Sequence, residues 1–168
     1  MTQQRPDPFI WKDKEWVFLR AENIYSLFDP LKYGLKPKEI SSACWKGFII
    51  YFSIKEDVLY FDKLYVNTED DEYPDINGVS AVYVPEYEKK GIRKRYNEYF
   101  GYHMYSDINL KLKYTGTMII GRDFKSEIYE GCAFTGPYSY KTTFDLKFEN
   151  GKLTEYKDTS GEYRALLE

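Results

Sequence analysis

Apolar and polar residues alternate with a period of two along several stretches of the chain, which is the pattern of β-strands with one buried face. The stretch from Thr142 to Phe148 alternates in this way. Asn150 and Gly151 follow it, and these two residue types suit the left-handed positions of a type I′ turn. We therefore predict a hairpin in which Phe148 faces Leu153.

A second hairpin is predicted from the stretch Cys44–Ile54 and the aromatic-rich stretch Val58–Asn67 that follows it. The first stretch carries apolar side chains on both alternating faces, so we predict a strand that is covered on both sides. The polar residues 55–57 separate the two stretches and supply the turn.

The clearest period-two pattern lies within Ile108–Phe124. Alternate residues from Ile108 to Tyr114 are apolar, and the residues between them are polar. We predict one half-exposed strand over this range, with a bulge or a tight bend at Gly116.

Two stretches have helical periodicity instead. Ile24, Leu27 and Phe28 fall at helical spacing before Asp29 and Pro30, which end any helix. Apolar residues within 92–100 recur at i, i+4, i+7 and i+8, which predicts a second helix lying on the sheet.

These elements predict a mainly β fold, with an α+β arrangement as the alternative. We expect an antiparallel barrel or sandwich of about seven to nine strands with one or two short helices. The stretch Trp16–Leu19 is expected to open the sheet. The 168 residues contain no internal repeat or linker, so a single domain over 1–168 is predicted. Residues 1–8 are expected to be a flexible segment and residues 160–168 a loosely ordered tail.

The aromatic content is the unusual feature of the composition. Eighteen tyrosines, eleven phenylalanines and three tryptophans make up 19% of the chain, and they favour strands. Many of these rings fit the core, but tyrosines near element ends place hydroxyls where a partner can reach them. Glu127 and Glu130, with Arg122 and Asp123 nearby, are candidates for a polar set at the mouth of a barrel. The candidate binding residues are Tyr83, Tyr87, Tyr102, His103, Tyr105, Arg122, Glu127, Tyr138 and Tyr140.

The charge balance excludes two classes of partner. With 24 basic and 27 acidic residues the formal net charge is −3, which provides no general attraction for nucleic acid or for an anionic membrane. No apolar run approaches the length of a membrane helix, and the first residues lack a signal-peptide pattern, so a cytoplasmic protein is expected. Cys44 and Cys132 are then expected to be reduced thiols, with Cys44 inert and Cys132 a conceivable nucleophile beside His103.

One acidic run and one basic run are candidate binding sites. The acidic run is Glu69, Asp70, Asp71, Glu72 and Asp75, and the basic run is Lys89, Lys90, Arg93, Lys94 and Arg95. The acidic run does not fit the calcium loop of an EF-hand, because Tyr73 and Val84 fall at its first and last ligand positions. Solvent-exposed segments are favoured for both runs. The alternative for the acidic run is a partner-facing patch, and the alternative for the basic run is a site for phosphates or an acidic partner. We predict no metal and no cofactor.

His103 is the sole histidine and the obvious candidate for general acid or base catalysis. No sequence motif links it to Ser106, Asp107 or a cysteine, so a structural role is favoured. The signatures of common hydrolases and nucleotide-binding enzymes are also absent from the sequence.

Three functions remain open. The first is a non-catalytic protein-binding domain, including the type that neutralises a toxin, because tyrosine and tryptophan are common interface anchors. The second is a carrier of a small apolar ligand in a lipocalin-like barrel, which requires an interior cavity. The third is a hydrolase or lyase that uses His103. The sequence favours the first and leaves the partner and the oligomeric state open.

Overall fold

The computed structural model describes residues 4–85, 101–125 and 136–163. These residues form ten strands of one sheet, one short α-helix and two 3-10 helices, which confirms the mainly β fold. The strands are β1 Asp7–Trp11, β2 Lys14–Ala21, β3 Phe48–Lys55, β4 Val58–Val66, β5 Val82–Val84, β6 Tyr102–Tyr105, β7 Leu110–Lys111, β8 Gly116–Phe124, β9 Tyr140–Glu149 and β10 Lys152–Asp158. The helix α1 is Ile24–Leu27, and the 3-10 helices are Pro30–Tyr33 and Pro137–Ser139.

The sheet contains both parallel and antiparallel pairs, and seven of its strands close into a ring. The strand order is β10-β9-β8-β2-β1-β3-β4-β6-β5, and β7 pairs with β4. All paired strands are antiparallel except β1 and β3. Lys152 of β10 also pairs with Val58 of β4, so the path from β4 to β10 joins into a ring of seven strands. Strands β6 and β5 extend from β4 outside this ring.

Both predicted hairpins are confirmed. In β3–β4 the turn residues Glu56 and Asp57 have φ values of 50° and 64°. In β9–β10 the turn lies at Asn150 and Gly151, with φ values of 51° and 86°. Positive φ at both positions is the geometry of a type I′ turn. The predicted partners across the second turn are paired in the structure, namely Phe148 with Leu153 and Glu149 with Lys152.

The prediction of one strand over 108–124 is wrong. Only Leu110–Lys111 and Gly116–Phe124 are strands, and the first of these pairs with β4 whereas the second pairs with β2 and β9. Between them the backbone bonds irregularly: the Leu112 amide donates to Leu59, and Tyr114 accepts from Gly151. The side chains of Ile108, Leu112 and Tyr114 are nevertheless buried, as the alternation predicted.

The sheet does not open at Trp16–Leu19. The first strand is β1, which begins at Asp7 and contains the last two residues of the segment 1–8. In β1 the side chains of Phe9 and Trp11 are buried and that of Ile10 is exposed, so this strand shows the period-two pattern over a short length.

The strand predicted from Cys44 begins four residues later, at Phe48. Cys44 forms an isolated bridge with Ser41. Gly47 has a φ of 83°, and a Cβ atom added at this residue would lie only 2.3 Å from the carbonyl oxygen of Lys38. Only glycine fits this position, which directly precedes β3. The short helix before Asp29 is confirmed as α1, whereas the helix predicted at 92–100 lies outside the described residues.

The interior of the ring is filled by side chains. Phe9, Phe52, Phe61, Tyr114 and Phe148 are at most 1% exposed and belong to one continuous core. The partly buried rings of Phe48 and Phe144 pack against that core. The aromatic residues of the predicted strands are therefore mainly core residues.

Candidate functional site

The candidate binding residues do not form one site. Tyr83, Tyr102, His103 and Tyr105 lie together on the paired strands β5 and β6. Arg122 and Tyr140 lie at the paired ends of β8 and β9, with Tyr138 in the adjoining 3-10 helix. These pairs are separated in the sheet order by β2, β1, β3 and β4. Tyr87 and Glu127 lie outside the described residues, as do the predicted basic run and Cys132.

Strand β5 is the last strand in the sheet order. Val82 pairs with Met104 and Tyr83 pairs with His103, which leaves the other edge of β5 without a strand from the described residues. Val82 is 59% exposed and Tyr83 is 58% exposed. A short strand thus presents both an apolar side chain and an aromatic ring at an open edge.

His103 lies between two tyrosine rings. Its ring stacks on Tyr73 with centroids 3.6 Å apart, and the Tyr83 ring lies 5.1 Å away on a tilt. The Nδ1 atom is buried and has no hydrogen-bond partner among the described residues, so the imidazole is held by ring stacking and not by a hydrogen bond at Nδ1. Burial lowers the pKa of His103, and the nearby Asp71 opposes this shift in part. These contacts pack the imidazole between aromatic rings, and the lowered pKa disfavours its charged form.

The loop 69–75, which carries the acidic run, is held against β6 by the Tyr105 hydroxyl and by the stacking of Tyr73 on His103. The Thr68 amide donates to the Tyr73 hydroxyl at 3.1 Å, and the Tyr105 hydroxyl donates to the carbonyl of Pro74 at 2.7 Å. Burial raises the pKa of Tyr105 to about 12, with the charge of Asp75 adding to the shift. The predicted acidic loop is therefore built onto the strand that carries His103.

The five acidic residues of this loop are exposed, and Asp75 accepts a hydrogen bond from the Ser80 hydroxyl at 2.9 Å. Glu69, Asp71 and Glu72 are exposed, and their side chains form no ion pair in the described parts of the chain. Asp70 pairs with Lys36 at 3.8 Å, and a hydrogen bond from the Glu72 amide lowers the pKa of Asp70. The loop contains five acidic residues and no basic residue. We call β5 together with loop 69–75 the acidic edge.

Tyr102 lies on the opposite face of β6 from His103, since successive residues of a strand point to opposite faces. Its ring is 4.7 Å from Tyr65, which in turn lies 5.4 Å from Tyr51. The Lys63 ammonium lies 5.2 Å from the centre of the Tyr51 ring. Tyr102 is 6% exposed, so it is a packing residue in an aromatic row and not a free contact residue.

Arg122 and Tyr140 border a separate hollow of about 510 Å³. The Arg122 guanidinium lies 5.4 Å from the centre of the Trp16 ring, and Tyr140 packs edge-on against Phe124 at 5.5 Å. Arg122 is thus engaged by an aromatic face in a cation–π contact. Asp123 also borders this hollow.

No metal or thiol chemistry emerges from the described residues. They contain no group of three or more His, Cys, Asp or Glu side chains placed to hold a metal ion. Cys44 is a buried free thiol whose pKa is raised by burial, so its thiolate form is disfavoured at neutral pH. None of the described helices has the length and apolar character needed to cross a membrane.

Together, the described residues form a mainly β fold in which β5 ends the strand order and lies near an acidic loop. Comparison of the chain with protein families, with curated proteins and with solved structures finds no match. Two contributors to the acidic edge were missed as candidate binding residues, Val82 and Tyr73. Val82 is a typical strand residue, and only its place on the last strand makes it exposed.

Proposed function

We propose that this protein is a non-catalytic protein-binding domain that binds an extended, basic segment of its partner along the acidic edge. The observation that carries this proposal is the exposure of Val82 and Tyr83 on the last strand of the sheet, whose partner strand β6 carries the acidic loop. A domain that neutralises a basic toxin is one member of this class.

The backbone of β5 supplies the first part of the recognition. An open strand edge carries unpaired N–H and C=O groups that a second extended chain can bond. Main-chain bonds of this kind are independent of the partner's sequence, so specificity has to come from side chains. Val82 and Tyr83 supply apolar and aromatic contact area for this purpose.

The charge of the loop selects the kind of partner. Glu69, Asp71 and Glu72 are exposed in the loop that packs on β6, the partner strand of β5, and they form no ion pair in the described parts of the chain. Such a field attracts lysine and arginine side chains and repels acidic segments, and salt weakens both effects. A basic extended segment therefore fits both features of the acidic edge.

The structure offers less support for the other two functions. A carrier needs an interior cavity, but Phe52 and Tyr114 are buried within the ring, and Phe48 and Phe144 pack against the same core. A hydrolase using His103 needs a group that orients the imidazole, but Nδ1 has no hydrogen-bond partner. Binding at the acidic edge requires neither feature.

The test uses a defined probe, a peptide of alternating lysine and valine about eight residues long, which matches a typical strand length. We expect it to shift the backbone amide resonances of β5 and β6 in NMR spectra and to bind more weakly at about 0.5 M salt. The variant Val82→Lys should lose this binding because it places a positive charge at the edge. Tyr83→Ala should weaken it by removing the aromatic contact.

Matched controls are available on α1. Ile24 is 42% exposed and Tyr25 is 72% exposed, so Ile24→Lys and Tyr25→Ala repeat the same chemical changes on another exposed surface. Both controls should bind the peptide as the unchanged protein does. Equal binding of a glutamate–valine peptide, or full binding by Val82→Lys, would overturn the proposal. Affinity capture from the native host, compared between the unchanged protein and Val82→Lys, then identifies the partner.

A further inference from the structure

A groove lies beside the N-terminal end of β1, on elements different from those of the acidic edge. Residues 4–6 run along the loop that precedes β3, where the Arg5 amide donates to the Ala43 carbonyl and the Trp45 amide donates to the Gln4 side chain, both at 2.8 Å. The Gln4 side chain also donates to the carbonyl of Ser42 at 2.9 Å. These bonds hold one wall of a groove whose volume is about 510 Å³.

The groove contains a guanidinium nitrogen without a partner. Nη1 of Arg5 is buried and donates no hydrogen bond to any of the described residues, although a guanidinium donates strongly to carboxylates. Asp7 is the one carboxylate among the described residues that line the groove, and both of its oxygens are occupied. One accepts from the Ile50 amide at 3.0 Å, and the other accepts from the Lys46 ammonium.

The positive charge at Arg5 is therefore not neutralised within the groove. Lys46 and Asp7 form an ion pair with each other. Among the described residues that line the groove, Arg5 is therefore the one charged residue outside an ion pair. Leaving a buried donor without an acceptor is costly, and an anionic ligand would remove that cost. The geometry thus favours a ligand with an acceptor group placed at Nη1.

The other walls are apolar and aromatic. Phe18 and Leu19 of β2 line the groove together with Trp45, which is 44% exposed. A groove of this volume lies within the range that holds small organic ligands, which such sites bind by apolar walls and a few placed polar groups.

We propose that this groove binds a small apolar molecule that carries one carboxylate, with the carboxylate on Arg5 and the apolar part between Trp45 and the β2 side chains. This site is distinct from the acidic edge and from the filled interior. It adds a ligand-binding function to the proposed protein-binding function and does not depend on it.

The test compares two probes that differ in charge. We expect 4-phenylbutyrate to shift the Trp45 indole resonance and the Arg5 side-chain resonance of the full chain, with affinity measured by calorimetry. The uncharged 4-phenylbutanol should bind about tenfold or more weakly, because it lacks the charge-assisted bond. This comparison is made on the unchanged protein and requires no variant.

A matched pair of variants completes the test. Arg5→Gln should weaken 4-phenylbutyrate binding about tenfold or more and leave 4-phenylbutanol binding nearly unchanged. Arg20→Gln, on exposed Arg20 of β2, removes the same charge outside the groove and should have no effect. The proposal is overturned if both probes bind the unchanged protein equally. It is also overturned if Arg5→Gln binds 4-phenylbutyrate normally, or if 4-phenylbutyrate shifts no groove resonance.

Discussion

The Asn-Gly turn between β9 and β10 also closes the strand ring, and Gly151→Ala tests how much that closure contributes to stability. Gly151 has a φ of 86°, and an added Cβ would lie 1.9 Å from the carbonyl oxygen of Leu112. Its amide donates to Tyr114 at 2.7 Å and its carbonyl accepts from Leu59 at 2.9 Å. The substitution therefore combines an unfavourable φ with a backbone collision at the junction of β10, β4 and the segment before β8.

The expected loss can be worked out from these contacts. A side chain at positive φ costs about 1 to 2 kcal/mol. Moving the backbone away from Leu112 weakens two hydrogen bonds, each contributing about 1 kcal/mol. We expect Gly151→Ala to lower the free energy of unfolding by about 3 to 4 kcal/mol. At an m-value of about 2 kcal/mol per molar urea, the midpoint falls by about 1.5 to 2 M.

The chain contains its own control for this prediction. Asn77 and Gly78 form a second Asn-Gly turn with φ values of 49° and 78°, and no atom lies within 4 Å of an added Cβ at Gly78. Gly78→Ala therefore carries the φ cost alone, about 1 to 2 kcal/mol. Both variants are compared by urea unfolding followed by tryptophan fluorescence. Equal midpoint shifts would refute the argument that Gly151 holds the ring closed.

Two further predictions concern stability. Burial raises the pKa of Tyr105 and Tyr114 to about 12, so the stability they contribute is complete below their ordinary pKa near 10 and is lost as the pH rises towards 12. Tyr114→Phe should make this loss shallower in urea unfolding measured at several pH values, and an unchanged slope would contradict the assignment. Asp7→Ala should cost about 2 to 4 kcal/mol, because it leaves the buried Ile50 amide and the Lys46 ammonium without their acceptor. Lys46→Met should cost less, and thermal unfolding that ranks the two variants in the opposite order would count against this interpretation.

The hairpins could be predicted because their determinants are local. An alternating strand, two turn residues and a second strand lie within about 20 residues, and positive φ at Asn150 and Gly151 follows from their chemistry. The segment 108–115 shows what alternation leaves out. The alternation of apolar and polar residues predicted correctly that Ile108 and Tyr114 are buried. Burial does not specify a hydrogen-bonding partner, and this backbone bonds to β4 and to the turn at Gly151 instead of continuing into β8.

The candidate sites depend on pairings that no local pattern records. Tyr83 and His103 are 20 residues apart in sequence and meet only because β5 pairs with β6, whereas Tyr102, next to His103, faces the aromatic row on the other side of the strand. The groove at Arg5 requires that residues 4–6 lie along a loop about 40 residues away in the chain. Tyrosine content indicated that rings would be left over from the core, but strand pairing decides which of them reach solvent. The exposed fraction of Tyr83, and not its residue type, is therefore what makes it a candidate for binding a partner.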